Sequence, residues 1–388
     1  MKIISLFFVL IQFICGFTYK AEAKTIRLET NKADLQLKAK AHLLIDYDSK
    51  EVLYSSNEHE KLYPASMTKM MGMLLVLEHI EKGKLKWDDM VTPSQEACSM
   101  GGTQIFLAPN ESMSVEDLFK SVAINSANDA VVALGEKVAG SHSSFVKMMN
   151  EKAKNLKMND TNFVNATGFD DEKHYTSAYD MGLLATELLR FNESILRFTR
   201  LKEDYIRKDS DEPFWLVNTN KLLGHYDGMD GLKTGYTNKA GYNLTATAIR
   251  NGIRLVSVTM GAASIADRSS DTRKLLDYGY SILNRVELFY KDEILALYDF
   301  KNAKNRNVAI YPLNDIAPSF IDNVKKEDLT LSIVLTKTSA PIAKDTVVGY
   351  LVVAYKDKEK RYPVVVKEDV INKKYLDYFK DAWVDLFI

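Results

Sequence analysis

The chain has 388 residues, of which 46% are hydrophobic and 27% charged, and its formal net charge at pH 7 is −1. This composition is that of an ordinary globular protein with enough apolar side chains for a core, and the length predicts two domains. No basic domain or stripe stands out, so we expect neither nucleic acid nor another polyanion as a partner.

The first 23 residues have the pattern of an export signal. Lys2 precedes an apolar run over residues 3–17, and Ala21-Glu22-Ala23 fits a cleavage site of the A-x-A type. We predict that the mature chain starts at Lys24; a retained membrane anchor is the alternative interpretation. Cys98 would then be the only cysteine left, so no intrachain disulfide is possible.

The next region, residues 24–285, changes from strand to helix patterns and back. Apolar runs on both sides of residues 47–50 predict one hairpin, and Asn251-Gly252 marks the turn of another. The further strands are predicted over residues 229–236, 242–250 and 253–260, and the helices over about 66–77, 115–123, 127–138, 177–191 and 267–283. Strands at both ends with helices between them predict an α+β domain with an antiparallel sheet whose first and last strands meet.

Residues 286–368 differ in pattern. Runs with β propensity follow one another at even spacing and predict a small all-β sandwich domain. These runs are residues 307–310, 330–335, 347–355 and 361–366. No combination of acids, histidines and nucleophiles appears within the domain, so we interpret it as a spacer or pedestal.

The last segment, residues 369–388, has the pattern of an amphipathic helix. Its apolar side chains form one wide stripe, and lysines and aspartates take the other side. The stripe consists of Tyr375, Leu376, Phe379, Ala382, Trp383, Leu386 and Phe387. The segment is too short and too polar to span a bilayer, so we predict that it lies in the membrane interface. A helix docked on the protein's own surface is the alternative.

Three short motifs carry the chemistry of an acyl-transferring serine enzyme. They are Ser66-Met67-Thr68-Lys69, Ser126-Ala127-Asn128 and Lys233-Thr234-Gly235. Ser126 follows Ser66 by 60 residues and Lys233 follows Ser126 by 107; this order and spacing carry the argument, because each motif alone is common. Together they supply a nucleophile, candidate bases, a proton relay and an amide. The six histidines show no metal-binding spacing and no phosphate loop is present, so we predict no metal and no cofactor.

The motifs and their neighbours resemble one group of penicillin-recognising serine enzymes, the type-5 low-molecular-mass penicillin-binding proteins. The resemblance is carried by residues 64–69, 114–118, 128–130, 233–237 and 240–243, and it covers about residues 40–388. It implies a catalytic domain of the β-lactamase/transpeptidase-like fold and D-alanyl-D-alanine carboxypeptidase activity on peptidoglycan stem peptides. It also implies that β-lactam antibiotics bind, and that the C-terminus holds the exported protein on the extracytoplasmic membrane surface.

The first two motifs predict how a nucleophile is activated. Ser66 is expected at a helix start, where the helix dipole favours negative charge. Lys69 lies three residues on, on the same face, and can reach the Ser66 hydroxyl. Partial burial and the charge of Lys233 lower the pKa of Lys69, which lets it act as a base. Ser126 is expected to pass a proton to the leaving amine, with Lys233 behind it.

The remaining motif residues are expected to hold the substrate. Asn128 can hydrogen-bond Lys69 or the substrate amide. The strand of the third motif is expected to line the cleft and to pair with the substrate backbone, with Gly235 permitting the close approach. By the resemblance, the backbone N–H groups of Ser66 and Tyr236 form the oxyanion hole.

The substrate carboxylate needs a partner of its own. By the resemblance, Thr234 binds it, and Arg268 occupies a position similar to that of the family's substrate-binding arginine. A surface arginine at a helix start is the alternative interpretation of Arg268. A second arginine of the family has no counterpart here, because Thr219 stands near its position.

Two other functions share parts of this pattern. A class A serine β-lactamase has the same three motifs, but it activates water with a glutamate followed four residues on by an asparagine. Between the second and third motifs the only such pair is Glu151 and Asn155, which falls too early and in a lysine-rich helical stretch. Penicillin is therefore expected to stay attached to Ser66. A catalytically silent scaffold that binds cell-wall stems is the second alternative, although no motif residue is missing.

Overall fold

The computed structural model describes residues 34–321 and 323–378, which divide between Ile282 and Leu283 into two compact units. The predicted export signal, residues 1–23, lies outside the described residues, and so do residues 379–388 of the predicted tail helix. Among the described helices, none combines the length and the apolar character needed to cross a lipid bilayer.

The unit before residue 283 is built on a five-stranded antiparallel sheet. The strands of the unit are β1 (Ala41–Asp46), β2 (Val52–Ser56), β3 (Met90–Val91), β4 (Met113–Ser114), β5 (Glu203–Ile206), β6 (Phe214–Val217), β7 (Met229–Thr237), β8 (Gly241–Arg250) and β9 (Ile253–Ala262). The large sheet has the order β2-β1-β9-β8-β7, while β3 pairs with β4 and β5 with β6. Leu43 of β1 stands opposite Val258 of β9, which confirms that the first and last strands of the sheet meet.

Helices cover both faces of this sheet. They are α1 (Lys69–Glu81), α2 (Gln95–Cys98), α3 (Val115–Ile124), α4 (Asn128–Ala139), α5 (His142–Asn155), α6 (Ala178–Leu188), α7 (Asn192–Thr199) and α8 (Ile265–Ile282). Gly182 of α6 lies against Leu43, whereas Gly279 of α8 lies against Leu44. Because neighbouring residues of a strand point to opposite faces, α6 and α8 pack on opposite sides of the sheet.

The helix that follows the first motif is buried on all sides. Every residue of α1 from Lys69 to Leu77 is buried, as its nearly uninterrupted apolar sequence requires. The α-helix begins at Lys69 rather than at Ser66, because Ala65–Thr68 form a 3-10 turn. The helices around the second motif, α3 and α4, have the predicted bounds to within one residue. Ser114 caps α3, since its hydroxyl oxygen accepts from the Asp117 N–H at 3.1 Å.

The unit from residue 283 onwards is built of β-strands, as predicted, with one 3-10 turn, Lys326–Asp328, and a helical turn in the tail. Its strands are β10 (Leu283–Arg285), β11 (Ala296–Tyr298), β12 (Val308–Pro312), β13 (Ser319–Ile321), β14 (Thr330–Leu335), β15 (Val347–Tyr355) and β16 (Lys358–Val366). One antiparallel sheet has the order β11-β12-β16-β15-β14, and β10 pairs with β13 in a second sheet. Val308, Phe320 and Val353, from β12, β13 and β15, belong to one hydrophobic core.

The described part of the tail ends in a single helical turn, residues 375–378. Tyr375 and Leu376 are exposed there, and the Tyr378 hydroxyl donates to Asn302 Oδ1 at 3.2 Å. The amphipathic helix over residues 369–388 remains a prediction, because most of its apolar stripe lies beyond the described residues.

Candidate active site

Ser66 lies in the 3-10 turn Ala65–Thr68, immediately before α1. Two strands hold this turn: Asn243 of β8 donates to the Pro64 carbonyl at 3.3 Å, and Gly235 of β7 lies against the same residue. A Cβ at Gly235 would come within 2.6 Å of the Pro64 carbonyl oxygen, so β7 can approach the turn only with glycine there. The sequence suggested that Gly235 makes room for the substrate; the structure shows that it makes room for the nucleophile's own turn.

Lys69 is the first residue of α1 and is completely buried. Its Nζ lies 2.9 Å from Ser66 Oγ and 2.6 Å from the Thr167 carbonyl oxygen. Burial lowers the pKa of Lys69 well below its usual value, the charge of Lys233 lowers it further, and Asp129 opposes both effects. The lowered pKa favours the neutral amine, whose lone pair can accept the Ser66 proton.

Ser126 and Asn128 lie where α3 ends and α4 begins. Ser126 is buried and has a left-handed backbone conformation, with a φ of 70°, which turns the chain between the two helices. Asn128 donates from Nδ2 to the Gly101 carbonyl at 2.7 Å, and in the described residues it makes no hydrogen bond to Lys69. The Asn128 side-chain amide therefore anchors Gly101 in the loop after α2, which the sequence did not predict.

The third motif lies on β7, the last strand of its sheet, which pairs only with β8 among the described residues. Its other edge can therefore accept an added backbone strand. Lys233 is buried, and its Nζ donates to the Thr234 carbonyl at 3.1 Å. Burial, and then the charge of Arg268, lowers the pKa of Lys233 to about 7. No hydrogen bond joins Lys233 to Ser126 in the part of the chain that the structure describes.

Arg268 of α8 is only 4% exposed, so the alternative of a surface arginine is wrong. Burial lowers the pKa of its guanidinium, and its Nε has no hydrogen-bond partner among the described residues. Neither Arg268 nor Lys233 forms an ion pair with a carboxylate of the described chain. The Thr234 hydroxyl on the same strand donates to the Thr219 hydroxyl oxygen at 2.6 Å. Two buried basic side chains without an ion-pair partner, together with a pair of hydroxyls, are groups that a carboxylate ligand would satisfy.

Tyr236 follows the third motif and is 51% exposed. Its ring stacks on Tyr242 of β8, with 4.3 Å between the ring centroids, and its hydroxyl donates to Asn238 Oδ1. Because β7 is pleated, this exposed ring points away from the side on which Gly235 meets the nucleophile's turn. An aromatic pair therefore stands on the solvent side of the strand that carries the third motif.

The structure adds a loop, residues 164–170, that the sequence analysis did not connect with the site. His174 holds the start of this loop, because its Nδ1 accepts from the Val164 N–H at 3.0 Å. The proton of the neutral ring is then on Nε2, which donates to the Thr68 hydroxyl oxygen at 2.9 Å. Burial lowers the pKa of His174 to about 4, which keeps the ring neutral at physiological pH. No spacing in the sequence marked His174 as a neighbour of the first motif.

Asp129 is a second residue near the site to which the sequence pattern assigned no role. Its carboxylate accepts from the backbone N–H groups of Ile105 and Leu107, at 3.0 and 3.1 Å. Burial raises its pKa, and these hydrogen bonds oppose the rise. An acid directly before the apolar run of residues 130–134 in α4 was the available signal, since a buried acid needs hydrogen-bond partners.

The fold has solved counterparts. The chain is similar to penicillin binding protein 5 from Haemophilus influenzae, with a TM-score of 0.68 and 30% identity, over 87% of this chain and 98% of that one. It is also similar to penicillin-binding protein D2 from Listeria monocytogenes in the ampicillin-bound form, with a TM-score of 0.57 and 32% identity, over 64% of this chain and 100% of that one. These matches confirm the predicted class, an α+β penicillin-recognising serine enzyme followed by an all-β domain.

Family models match consecutive parts of the chain: D-alanyl-D-alanine carboxypeptidase over residues 28–264, and the C-terminal domain of penicillin-binding protein 5 over residues 284–372. The chain is 42% identical over 356 residues to D-alanyl-D-alanine carboxypeptidase DacF of Bacillus subtilis (strain 168), which is 91% of each chain. It is 31% identical over 383 residues to DacA of Escherichia coli (strain K12), 94% of this chain and 93% of that one. The chain therefore belongs to the D-alanyl-D-alanine carboxypeptidase family, whose members are penicillin-binding serine peptidases that react through an acyl-enzyme.

Proposed function

We propose that this enzyme removes the terminal D-alanine from peptidoglycan stem peptides that end in D-Ala-D-Ala, with Ser66 as the nucleophile. The observation that carries the proposal is the distance of 2.9 Å between Ser66 Oγ and Nζ of the buried Lys69. A lysine with a lowered pKa beside a serine hydroxyl has the arrangement of an activated nucleophile and its base.

Acylation starts when the neutral Lys69 amine takes the Ser66 proton and Ser66 Oγ attacks the carbonyl carbon between the two D-alanines. The N–H groups of Ser66 and Tyr236 bind the resulting oxyanion, and such donors contribute about 3–4 kcal/mol each. The proton passes from Lys69 through Ser126 to the nitrogen of the terminal D-alanine, the C–N bond breaks and D-alanine leaves. Water then hydrolyses the ester on Ser66 and releases the shortened stem.

The substrate backbone lies along the open edge of β7 in this proposal. Thr234 and Arg268 bind its terminal carboxylate, and the protonated form of Lys233 adds a second positive charge. Asn128, held by Gly101, offers its Oδ1 to a substrate amide N–H. The site therefore binds stem peptides and β-lactam antibiotics. Both kinds of ligand have a carboxylate and a carbonyl group that can acylate Ser66.

The positions of the acidic residues disfavour the β-lactamase alternative. Glu151 and Asn155 are exposed residues on the last turns of α5. The loop that meets Lys69 has no carboxylate over residues 164–169, and Asp170 at its end accepts a hydrogen bond from the Thr237 hydroxyl at 2.7 Å. Among the described residues no carboxylate forms a hydrogen bond with Ser66, so we expect a penicilloyl ester on Ser66 to persist.

Two measurements test the proposal. D-alanine release from a diacylated Lys-D-Ala-D-Ala peptide should exceed the blank, and Ser66→Ala should abolish it. Intact mass after benzylpenicillin should show one stable adduct, mapped to Ser66 by peptide digestion. If the parent enzyme releases no D-alanine, the peptidase assignment is wrong. If the penicillin adduct is lost rapidly, a β-lactamase is favoured. A silent scaffold would keep its cellular role in the Ser66→Ala variant.

The same proposal assigns roles to the predicted regions. Residues 1–23 export the chain, residues 24–285 carry the reaction, residues 286–368 serve as a spacer or pedestal, and residues 369–388 bind the extracytoplasmic membrane surface. Within residues 370–388 the polar side has three lysines and three aspartates, so attraction to anionic lipid is weak. These are Lys373, Lys374, Lys380, Asp377, Asp381 and Asp385.

Deleting residues 370–388 should therefore release the mature protein from membranes without changing its activity on small soluble peptides. Binding would rest on burial of the apolar stripe, at about 25 cal/mol per Å² of apolar area. Sedimentation with membranes should resist high salt and yield to detergent. Release by salt alone, or a truncated protein that still sediments after loss of its signal, would contradict the membrane role.

A further inference from the structure

The loop of residues 164–170 presents a backbone carbonyl to the proposed catalytic base. The Thr167 carbonyl oxygen lies 2.6 Å from Lys69 Nζ, and both groups are buried. Residues 164–169 form neither helix nor strand, so no regular hydrogen-bond ladder fixes this carbonyl. The contacts of individual side chains with the loop must therefore determine where the carbonyl points.

The Asn165 side chain supplies most of these contacts. Its Oδ1 accepts from the backbone N–H groups of Thr167, Gly168 and Phe169, at 3.2, 2.7 and 3.1 Å. The same oxygen accepts from the Thr167 hydroxyl at 2.9 Å, and Nδ2 donates to the Phe169 carbonyl at 3.1 Å. The Asn165 side-chain amide thus forms hydrogen bonds with the chain on both sides of the Thr167 carbonyl.

Within the turn, the only side-chain hydrogen bond without Asn165 among the described residues runs from the Phe169 N–H to the Thr167 hydroxyl oxygen, at 3.4 Å; the other contacts hold the ends of the loop. The Ala166 N–H donates to His142 Nε2 at 3.2 Å, before the turn, and Asp170 accepts from Thr237 after it. Within the turn, Gly168 has a φ of 90°, and a Cβ there would lie 1.9 Å from the Ala65 carbonyl oxygen. The turn therefore lies directly against the residue before Ser66, and a small displacement of the turn would also displace Ser66.

A neutral amine has two N–H bonds and one lone pair, and only the lone pair can accept the Ser66 proton. The Thr167 carbonyl takes one N–H of Lys69, which restricts rotation about the Cε–Nζ bond and leaves the lone pair available on the side of Ser66 Oγ. We infer that Asn165 is a positioning residue for the acylation reaction: it fixes the Thr167 carbonyl, and through it the orientation of the Lys69 amine. The inference rests on the proposed role of Lys69 as the base.

Asn162 offers a matched control for a role in loop stability alone. It is half-buried like Asn165, lies three residues before it, and its Nδ2 donates to the Lys173 carbonyl. It makes no hydrogen bond to residues 167–169 in the described chain. Asn162→Ala therefore removes a side-chain amide from the same segment without releasing the Thr167 carbonyl.

The experiment measures the acylation rate of full-length parent, Asn165→Ala, Asn165→Asp and Asn162→Ala with a fluorescent penicillin, alongside thermal unfolding. Asn165→Ala should lower the second-order acylation rate by about tenfold to a hundredfold, since the base loses its orientation. Asn165→Asp keeps an oxygen that accepts from the three N–H groups, so above the acidic limb of its pH profile the rate should stay close to that of the parent. The added negative charge raises the pKa of Lys69 and should move that limb to higher pH. Asn162→Ala should stay close to the parent at every pH. If Asn165→Ala fails to fold, Asn165→Ser replaces it in the comparison of acylation rates. The shorter serine side chain reaches fewer of the groups that Asn165 holds.

The pH profile separates positioning from stability. A carbonyl acceptor favours the ammonium form, so its loss should lower the pKa of Lys69 further and move the acidic limb of the Asn165→Ala profile to lower pH. A rate that falls with an unmoved limb, or an equal fall in Asn162→Ala, would overturn the inference. A parent enzyme that is not acylated at Ser66 at all would instead overturn the proposed function.

Discussion

The two units of the molecule differ in what they bury. Residues 34–282 bury the side chains of Lys69, Lys233 and Arg268, whereas in the described residues from 283 onwards the only fully buried polar side chain is that of Ser319. Removing a charge from water without a partner opposes folding. Burial of these side chains in the candidate active site therefore lowers the stability of the first unit and also lowers the pKa of Lys69 and Lys233. The described residues of the second unit contain no buried lysine or arginine.

A third buried lysine of the first unit differs from Lys69 and Lys233, because it has carboxylate partners. Lys120 of α3 is 9% exposed, but its Nζ lies 3.0 Å from Asp117 and 3.3 Å from Asp204. Its charge is therefore balanced by carboxylates, as is usual for a structural lysine. Lys69 and Lys233 form no ion pair among the described residues, and their pKa values are lowered.

The largest effect on activity is expected from Lys69→Ala. Ser66 Oγ forms no other hydrogen bond in the described chain, so acylation by penicillin should fall by about 10²–10⁴-fold. Lys120→Ala should lower the thermal stability and leave acylation unchanged, measured by labelling with a fluorescent penicillin. If Lys69→Ala is acylated at close to the parent rate, the base must be Lys233 or Ser126.

Lys233→Met should lower acylation and yet raise the free energy of unfolding at neutral pH. The pKa of Lys233 is about 7 in the folded protein, below its ordinary value of 10.5, so the unfolded chain binds more protons between these limits. The parent therefore gains stability as the pH rises through this window, by about 1.4 kcal/mol per pH unit from this one group. The advantage of Lys233→Met should be largest at and below pH 7 and should shrink towards pH 10.5.

Urea unfolding of parent and Lys233→Met at about pH 6, 8 and 10 measures this difference. Groups that do not interact with Lys233 cancel in the comparison, whereas the pKa of Lys69, which the charge of Lys233 lowers, rises in the variant. Lys120→Met is the control, and it should be less stable than the parent because it leaves Asp117 without its ion-pair partner and Asp204 with Lys208 alone. A stability difference for Lys233→Met that does not change with pH would show that Lys233 stays charged in the folded protein.

Thr219→Val should have a smaller effect. Thr219 accepts from the Thr234 hydroxyl, and it is held between Asn218 and Asn220, whose side chains donate to the Leu201 and Gly231 carbonyls. Loss of one hydrogen bond of this kind is worth about 1 kcal/mol, so kcat/KM on a D-Ala-D-Ala peptide should fall about fivefold.

Thr219→Ser keeps the hydroxyl and should behave like the parent. The same peptide with a C-terminal amide lacks the carboxylate that Thr234 is proposed to bind, so Thr219→Val should barely change the low activity on it. An equal loss on both peptides would show that Thr219 acts on the fold of the site and not on carboxylate binding.

The sequence predicted the parts of the site that depend on local patterns. Ser66 and Lys69 are three residues apart, and the apolar periodicity around Ser126 gave the bounds of α3 and α4 almost to the residue. The antiparallel sheet followed from strands at both ends of the region, since such strands need a common partner.

What the sequence could not predict are contacts between distant parts of the chain. The Thr167 carbonyl beside Lys69 is a backbone group, and every residue has one, so no residue type signals it. The burial of Arg268 was left open because a helix pattern with several charges does not show which of them faces the protein. The tie between Thr234 and Thr219 joins residues whose separation in sequence carries no periodic signal.

The smallest effect on activity is expected from a core substitution in the second unit. Ile310 of β12 is fully buried and stands between Ala296 of β11 and Val366 of β16. Ile310→Ala removes apolar contacts from a core without buried charges, so that unit should lose about 2–5 kcal/mol of stability. Leu297→Ala, on the same pair of strands but with an exposed side chain, is the control and should change little. Thermal unfolding measures the loss, and acylation of Ser66 by penicillin, measured below the first transition, should stay at the parent rate. A fall in acylation while the second unit is still folded would mean that this unit takes part in the reaction, and its interpretation as a spacer or pedestal would be wrong.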